Sequence, residues 1–282
     1  MAGNSTALRR LIINADDFGF SPGVTDGILK CHRQGILTST TLMTTMPDRD
    51  RAIALAQETP TLGVGIHLCL TQGTPLTRCS ALLDRAGDFP RSLPALFLRL
   101  RSDKARGQAL EEWSAQVEAA RARGLFPTHL DSHKHIHHFP ALQNAAIAVA
   151  QRFGIHHIRC ARELSNAPSL PRASPSYRLL AHIAQKFARR LPAGVTTTDW
   201  FYGLASTGRS KEALWLQFAE NCPPGTGEFM VHPGFTHDID ATQTRLLSQR
   251  SDEMVALLSA SVRDALAGRG IALIRYDQLS TS

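Results

Sequence analysis

No stretch of this sequence is apolar for the roughly 20 residues that a helix needs to cross a bilayer, and no cysteine stands in a C-x-x-C pair. Its five cysteines, Cys31, Cys69, Cys79, Cys160 and Cys222, are odd in number and far apart. That excludes a disulfide framework and a thiolate zinc site, and leaves reduced, structural thiols. Aromatic residues are few, at 6%, and do not interleave with the basic ones. A formal charge of +7 favours anionic partners in general. Yet the Lys and Arg residues are scattered, with loose groupings at 99–106 and 186–190, and read as solvated helix faces; no nucleic-acid partner is expected. The opening "MAGNSTALRRLIINADD" lacks the pattern of a secretory signal, because its apolar part is short and ends in acids, so a cytoplasmic location is expected. The phosphate-cradling G-x-G-x-x-G does not follow the first strand-like run, which counts against a doubly wound dinucleotide fold.

What is present is a repeating walk. "LRRLIINA", "TSTTLMTTM", "GVGIHLCL", "PTHLDSH", "IHHIRC", "TTTDWFYG", "GEFMVHPG" and "IALIRY" are strand-like. Between them lie helix-like segments such as "PGVTDGILKCHRQG", "DRDRAIALAQE", residues 103–123, "PALQNAAIAVAQRFG", "KEALWLQFAENC" and residues 246–267. Alternation without a composition break argues for a single α/β domain over residues 1–282, with about seven parallel strands closed into a TIM-barrel-like (β/α) barrel. An open doubly wound sheet is the second choice. A Pro/Ser-rich excursion, residues 164–176, is the candidate for a mobile loop or insertion.

In parallel α/β folds, sites form where strands end, and there the polar exceptions fall. Asp16 and Asp17 end the first strand, His67 the third, and Asp131 and His133 the fourth; His232 ends a later one. Two adjacent carboxylates at the end of a buried strand repel each other and resist desolvation, unless a cation joins them. Five of the twelve histidines crowd into "HLDSHKHIHH". A carboxylate with two imidazoles is a common divalent-metal set that leaves a coordination position open. Taken singly, the acids also read as a helix cap and a turn acid, and His67 as a core histidine. The cluster points to a metal without saying which histidine binds: a helical segment would align His129, His133 and His137, an extended one His133, His135 and His137.

Five ordered blocks, "NADDFG", "TSTTLM", "GIHLCLTQGTPL", "HLDSHKHIHHFP" and "MVHPGF", together resemble the YdjC-like carbohydrate deacetylases, and the resemblance runs over almost the whole chain. It implies a distorted (β/α) barrel, one divalent metal ion and removal of an N-acetyl group from a sugar. Carried over by position, it implies Asp17, His67 and His133 as metal ligands, Asp16 as catalytic base and His232 as general acid. The donor set suits Zn²⁺, with Mg²⁺, Mn²⁺, Fe²⁺ or Co²⁺ also compatible. Asp131, His135 and His137 suit roles as partners that orient ligands. Trp200, Phe201 and Tyr202 read either as a sugar-stacking platform or as core. The implied partner is an N-acetylated sugar; the sugar itself is not identified, and a homodimer would be unsurprising. A metal-dependent phosphoesterase and a metal-stabilised carbohydrate-binding protein without turnover are the competing readings.

Overall fold

The computed structural model describes residues 8–164 and 174–280; most of the Pro/Ser-rich excursion, residues 165–173, lies outside the described residues. The chain runs β1 (Arg9–Phe18), α1 (Pro22–Gln34), β2 (Ser39–Leu42), α2 (Arg49–Gln57), β3 (Gly63–Leu68), α3 (Leu93–Arg99), α4 (Asp103–Arg121) and β4 (Leu130–Ser132). It continues with a 3₁₀ turn (His133–His138), α5 (Pro140–Phe153), α6 (Pro175–Ala188), β5 (Trp200–Tyr202), α7 (Glu212–Asn221), β6 (Gly225–Val231), α8 (Ser248–Leu258), α9 (Ala260–Gly268) and β7 (Ile271–Leu273). The expected helix starts hold. The Ser21 hydroxyl accepts from the Val24 N–H with Pro22 first in the helix, and Ser102 does the same for Ala105, satisfying amides that a helix start leaves unpaired.

All strand pairs are parallel, in the order β4-β3-β2-β1-β6-β5. β1 is the hub. It pairs along Arg9–Ala15 with β6, while β7 takes Arg9–Leu11 and β2 takes Asn14–Phe18. The carbonyls of Leu11 and Ile13 accept from Ile274 and Thr38. Alternate carbonyls point the same way, so β7 and β2 share one edge of β1. The expected fifth strand, "IHHIRC", forms only single bridges, Leu130 to Ile158 and His157 to Thr196, and Glu163 then bridges to Phe201 of β5. Residues 157–163 thus span the gap between β4 and β5, and the sheet curls into a distorted (β/α) barrel whose seam is stitched rather than zipped.

Two other expectations change. The single helix over 246–267 is broken: Ser259 adopts φ −67 and ψ 128, and its hydroxyl caps the new helix α9. The aromatic run of β5 is core: Trp200, Phe201 and Tyr202 are all buried, and Tyr202 packs with Phe218 and Phe229. No sugar platform forms there.

Candidate active site

β1 reaches its C-terminal end through a bulge. Ala15 pairs with Thr40 and Phe18 with Leu42, so three steps on β1 oppose two on β2. Asp17 takes the strain, with φ +73, a left-handed conformation that non-glycine residues seldom adopt. In a regular strand, neighbours point to opposite faces; an added residue re-aims a side chain. The consequence is measurable. Asp16 Oδ2 and Asp17 Oδ1 lie 4.0 and 3.7 Å from the same atom, Nε2 of His67. Gly19, at φ +82, turns the chain into α1, and a Cβ there would stand 3.0 Å from Leu42 Cδ1.

His67 stands near the end of β3, in register with Asp131 of β4. Its Nδ1 lies 2.7 Å from Asp131 Oδ1, which leaves Nε2 facing the two aspartates beyond hydrogen-bond reach. Burial alone would lower the His67 pKa, but Asp131, Asp16 and Asp17 together push it up to about 9.

Two arginines complete the centre, and neither stood out in the sequence. Arg159, fully buried, grips Asp16 through both oxygens at 2.8 and 2.6 Å. It also reaches Asp131 Oδ2 at 2.6 Å and Glu228 Oε1 at 2.6 Å. Arg250, on α8, donates to Asp17 Oδ2 at 2.5 Å. Burial works against ionised carboxylates here, but Arg159 holds Asp16, and Arg250 holds Asp17, well below the usual carboxylate range. Glu228 behaves differently: burial outweighs Arg159 and pushes its carboxyl up to about 7, with the Tyr276 hydroxyl donating to its second oxygen.

The histidine-rich segment is neither of the two expected geometries. Lys134 and His135 both take left-handed dihedrals, φ 56 and 54, and the chain coils into a tight turn that separates the imidazoles. His133 is half-buried; its ring centre is 5.8 Å from that of His67, and its Nδ1 is 2.7 Å from the Thr71 hydroxyl. Burial lowers its pKa to about 3, so its imidazole is neutral and free to act as a ligand. His135, His137 and His138 turn into the interior instead. His137 bonds to Ser132 and to the Arg159 carbonyl, and the His138 ring lies beside it, tilted by 40° with the centroids 3.8 Å apart. Asp131 therefore orients His67, whereas His137 serves the packing of the turn.

His232 follows β6 and is half-buried. Its backbone N–H donates to Glu253 of α8 at 2.5 Å. Its Nδ1 is buried without a partner among the described residues. One face of α8 thus holds Asp17 through Arg250 and, one turn on, the His232 backbone through Glu253.

The donors most tightly grouped are Asp16, His67 and Asp131, with one atom from each within 4.8 Å of the others; the expected set shares only His67 with that trio. The centre fits a divalent cation on two observations. When His67 gives up its proton, Asp16, Asp17 and Asp131 oppose only the guanidinium groups of Arg159 and Arg250, a negative excess that burial makes costly and that a cation in the proton's place offsets. The gaps of 3.7 and 4.0 Å at His67 Nε2 are close to the spacing of ligand atoms that each sit about 2.0–2.2 Å from a shared ion.

A curled α/β barrel with acids and imidazoles gathered at its C-terminal strand ends defines the class. Within that class, the model of the YdjC-like proteins matches residues 10–268, and the chain belongs to that family. A carbohydrate deacetylase of Geobacillus stearothermophilus is 34% identical over 271 residues, covering 95% of this chain and 97% of its own. One from Brevibacillus brevis is 32% identical over 275 residues, covering 96% and 99%. A crystal structure from Enterococcus faecalis V583, described provisionally as a cellobiose-phosphate cleavage protein, superposes with a TM-score of 0.79 at 29% identity, over 97% of this chain and 100% of that one.

Proposed function

We propose that this chain is a metal-dependent hydrolase that removes the N-acetyl group from an N-acetylated amino sugar, a chito-oligosaccharide or related glycan or glycoconjugate, and releases acetate. It would act as one domain over residues 1–282, in the cytoplasm. The observation that carries the reading is the meeting of both bulge aspartates at His67 Nε2, in a family whose relatives of similar length are named carbohydrate deacetylases.

Asp17, His67 and His133 are the assigned ligands. Nδ1 of His67 is committed to Asp131 and Nδ1 of His133 to Thr71, so each ring keeps Nε2 for a cation. Both oxygens of Asp16 are drawn to Arg159, which sets it apart as the base. A divalent cation held there supplies Lewis acidity for the acetyl carbonyl and for water, whose pKa such ions lower from 15.7 to about 7 in favourable cases. Asp16, kept ionised by Arg159, is always able to accept the proton of the attacking water. Its weak basicity is the reason the water must first be acidified. His232 would protonate the departing amine; positioned acid–base groups contribute about 10²–10⁴-fold.

The test is an acetate-release screen over N-acetylated sugars, run on chelator-treated protein with Zn²⁺, Mg²⁺, Mn²⁺, Fe²⁺ or Co²⁺ restored, with phosphate release from sugar phosphates followed in parallel. Acetate that returns with a metal is the expected result. Phosphate without acetate would replace this reading with a phosphoesterase.

A further inference from the structure

β6 ends at Val231, the last residue that it pairs with β1, and its pairing with β5 stops earlier, at Phe229. His232 is therefore the first residue beyond the ladder. A buried amide left without an acceptor is costly, and α8 supplies one. Glu253 Oε2 accepts the His232 N–H at 2.5 Å, and Oε1 accepts the Gly208 N–H, in the loop after β5, at 2.9 Å. The Glu253 side chain is buried, and both of its oxygens are spent on backbone. The chain just past His232 is pinned as firmly. Pro233 restricts the His232 backbone to extended conformations. Gly234 packs on α1 so closely that a Cβ on Gly27 would stand 2.6 Å from its Cα, and the Phe235 N–H donates to the Gly23 carbonyl at 3.1 Å. What stays free at His232 is the ring. Its Nδ1 is buried without a partner among the described residues, which leaves Nε2 to meet a substrate.

The same helix has a second foothold. Arg250, one turn before Glu253, donates to Asp17 Oδ2 at 2.5 Å, and its own Nε is fixed by the Leu246 carbonyl at 3.2 Å. β1 and β6 are neighbours, so one face of α8 holds the ends of both: the aspartate assigned to the cation and the backbone of the histidine assigned to the leaving group. We propose that Glu253 is a positioning residue for His232, holding its backbone so that the imidazole meets the departing nitrogen as the amide is cleaved. The proposal rests on the deacetylase reading. In that step the C–N bond breaks, its electron pair goes to nitrogen, and nitrogen takes the proton from His232 Nε2, leaving a neutral imidazole, a free amine and acetate. Such a transfer works within hydrogen-bond reach, about 2.6–3.2 Å, and a misplacement of about 1 Å can cost about 10²-fold.

The experiment turns on the leaving group. An amide expels a basic amine that must gain a proton as it departs, whereas an aryl acetate expels a phenolate that leaves without one. Metal-loaded wild type, Glu253→Met and Glu253→Asp are compared on N,N′-diacetylchitobiose and on 4-nitrophenyl acetate. Methionine removes both acceptors at similar length; aspartate keeps the charge and draws both oxygens back by one methylene. Glu253→Met should lose about tenfold or more in kcat on the disaccharide with KM held, part of the roughly 10²–10⁴-fold that a positioned acid contributes, and stay within about twofold on the aryl acetate. Glu253→Asp should fall in the same direction by less, and it carries the same comparison should the methionine variant not fold. A second arm needs no turnover: deuterium exchange at the His232 amide should quicken in the variants while the amides of β6 keep their rates. Equal losses on the two substrates, an undiminished disaccharide rate, or unchanged exchange at His232 overturns the proposal. No acetate from any N-acetylated sugar in the wild type, with exchange at His232 quickened in the variants, sinks the deacetylase reading and leaves Glu253 as the anchor of His232.

Discussion

Asp16 and Asp17 are chemically identical neighbours, and their surroundings give them different work. Arg159 claims both oxygens of Asp16, while Arg250 claims only one of Asp17. Asp16→Asn should therefore keep the cation and lose about 10²–10⁴-fold in acetate release, checked by metal analysis beside kinetics. If the cation departs with the charge, Asp16 belongs to the ligand set with His67 and Asp131. Asp131→Asn should weaken metal binding about 10–100-fold, read by chelator competition, because the hydrogen bond that sets the His67 tautomer is lost. Arg159→Met leaves Asp16, Asp131 and Glu228 without their shared partner in a buried space. Loss of one member of such a cluster costs roughly 3–5 kcal/mol, which a denaturant midpoint would show. The meeting of the aspartates and His67 was legible because polar residues fell together at the ends of several strand-like runs, although each taken singly had a bland reading. Arg159 and Arg250 were not. An arginine on a helix or in an irregular segment looks like a solvated face until the aspartate at the end of β1, 143 residues from Arg159 and 233 from Arg250, is placed beside it.

At the scale of elements, helix starts were readable because a cap is local chemistry, a hydroxyl and an amide three residues apart. The bulge in β1 and the left-handed pair at Lys134 and His135 were not, since each is imposed by distant partners rather than by local preference. Residues 157–163 show what such partners do. Their last member, Glu163, accepts backbone N–H bonds from Gly203, Leu204 and Ala205 at 3.4, 3.1 and 2.9 Å. Burial nevertheless pushes its carboxyl up to about 7, from an ordinary 4.5. Between those values the folded chain keeps a proton that the unfolded chain has released. The stability from this group is therefore full below about pH 4.5 and is lost as pH rises through about 7. Glu163→Gln should remove that part of the slope, seen by comparing urea midpoints of both proteins at pH 5 and pH 8.

For the molecule as a whole, alternating strand and helix patterns were enough to foresee a parallel barrel, because period and order alone dictate that layering. The uneven closure was hidden. "IHHIRC" has the composition of a strand, yet it shares only single bridges with its neighbours, while β1 bonds to three. That inequality sets the order in which the protein comes apart. Amides of residues 157–163 should exchange with deuterium through local opening, long before those of β1, whose release needs β2, β6 and β7 to part together. Thermal inactivation would then begin early: Arg159 rides on the first segment to open, so Asp16, Asp131 and Glu228 lose their shared partner while both aspartates still sit on the last strand to loosen.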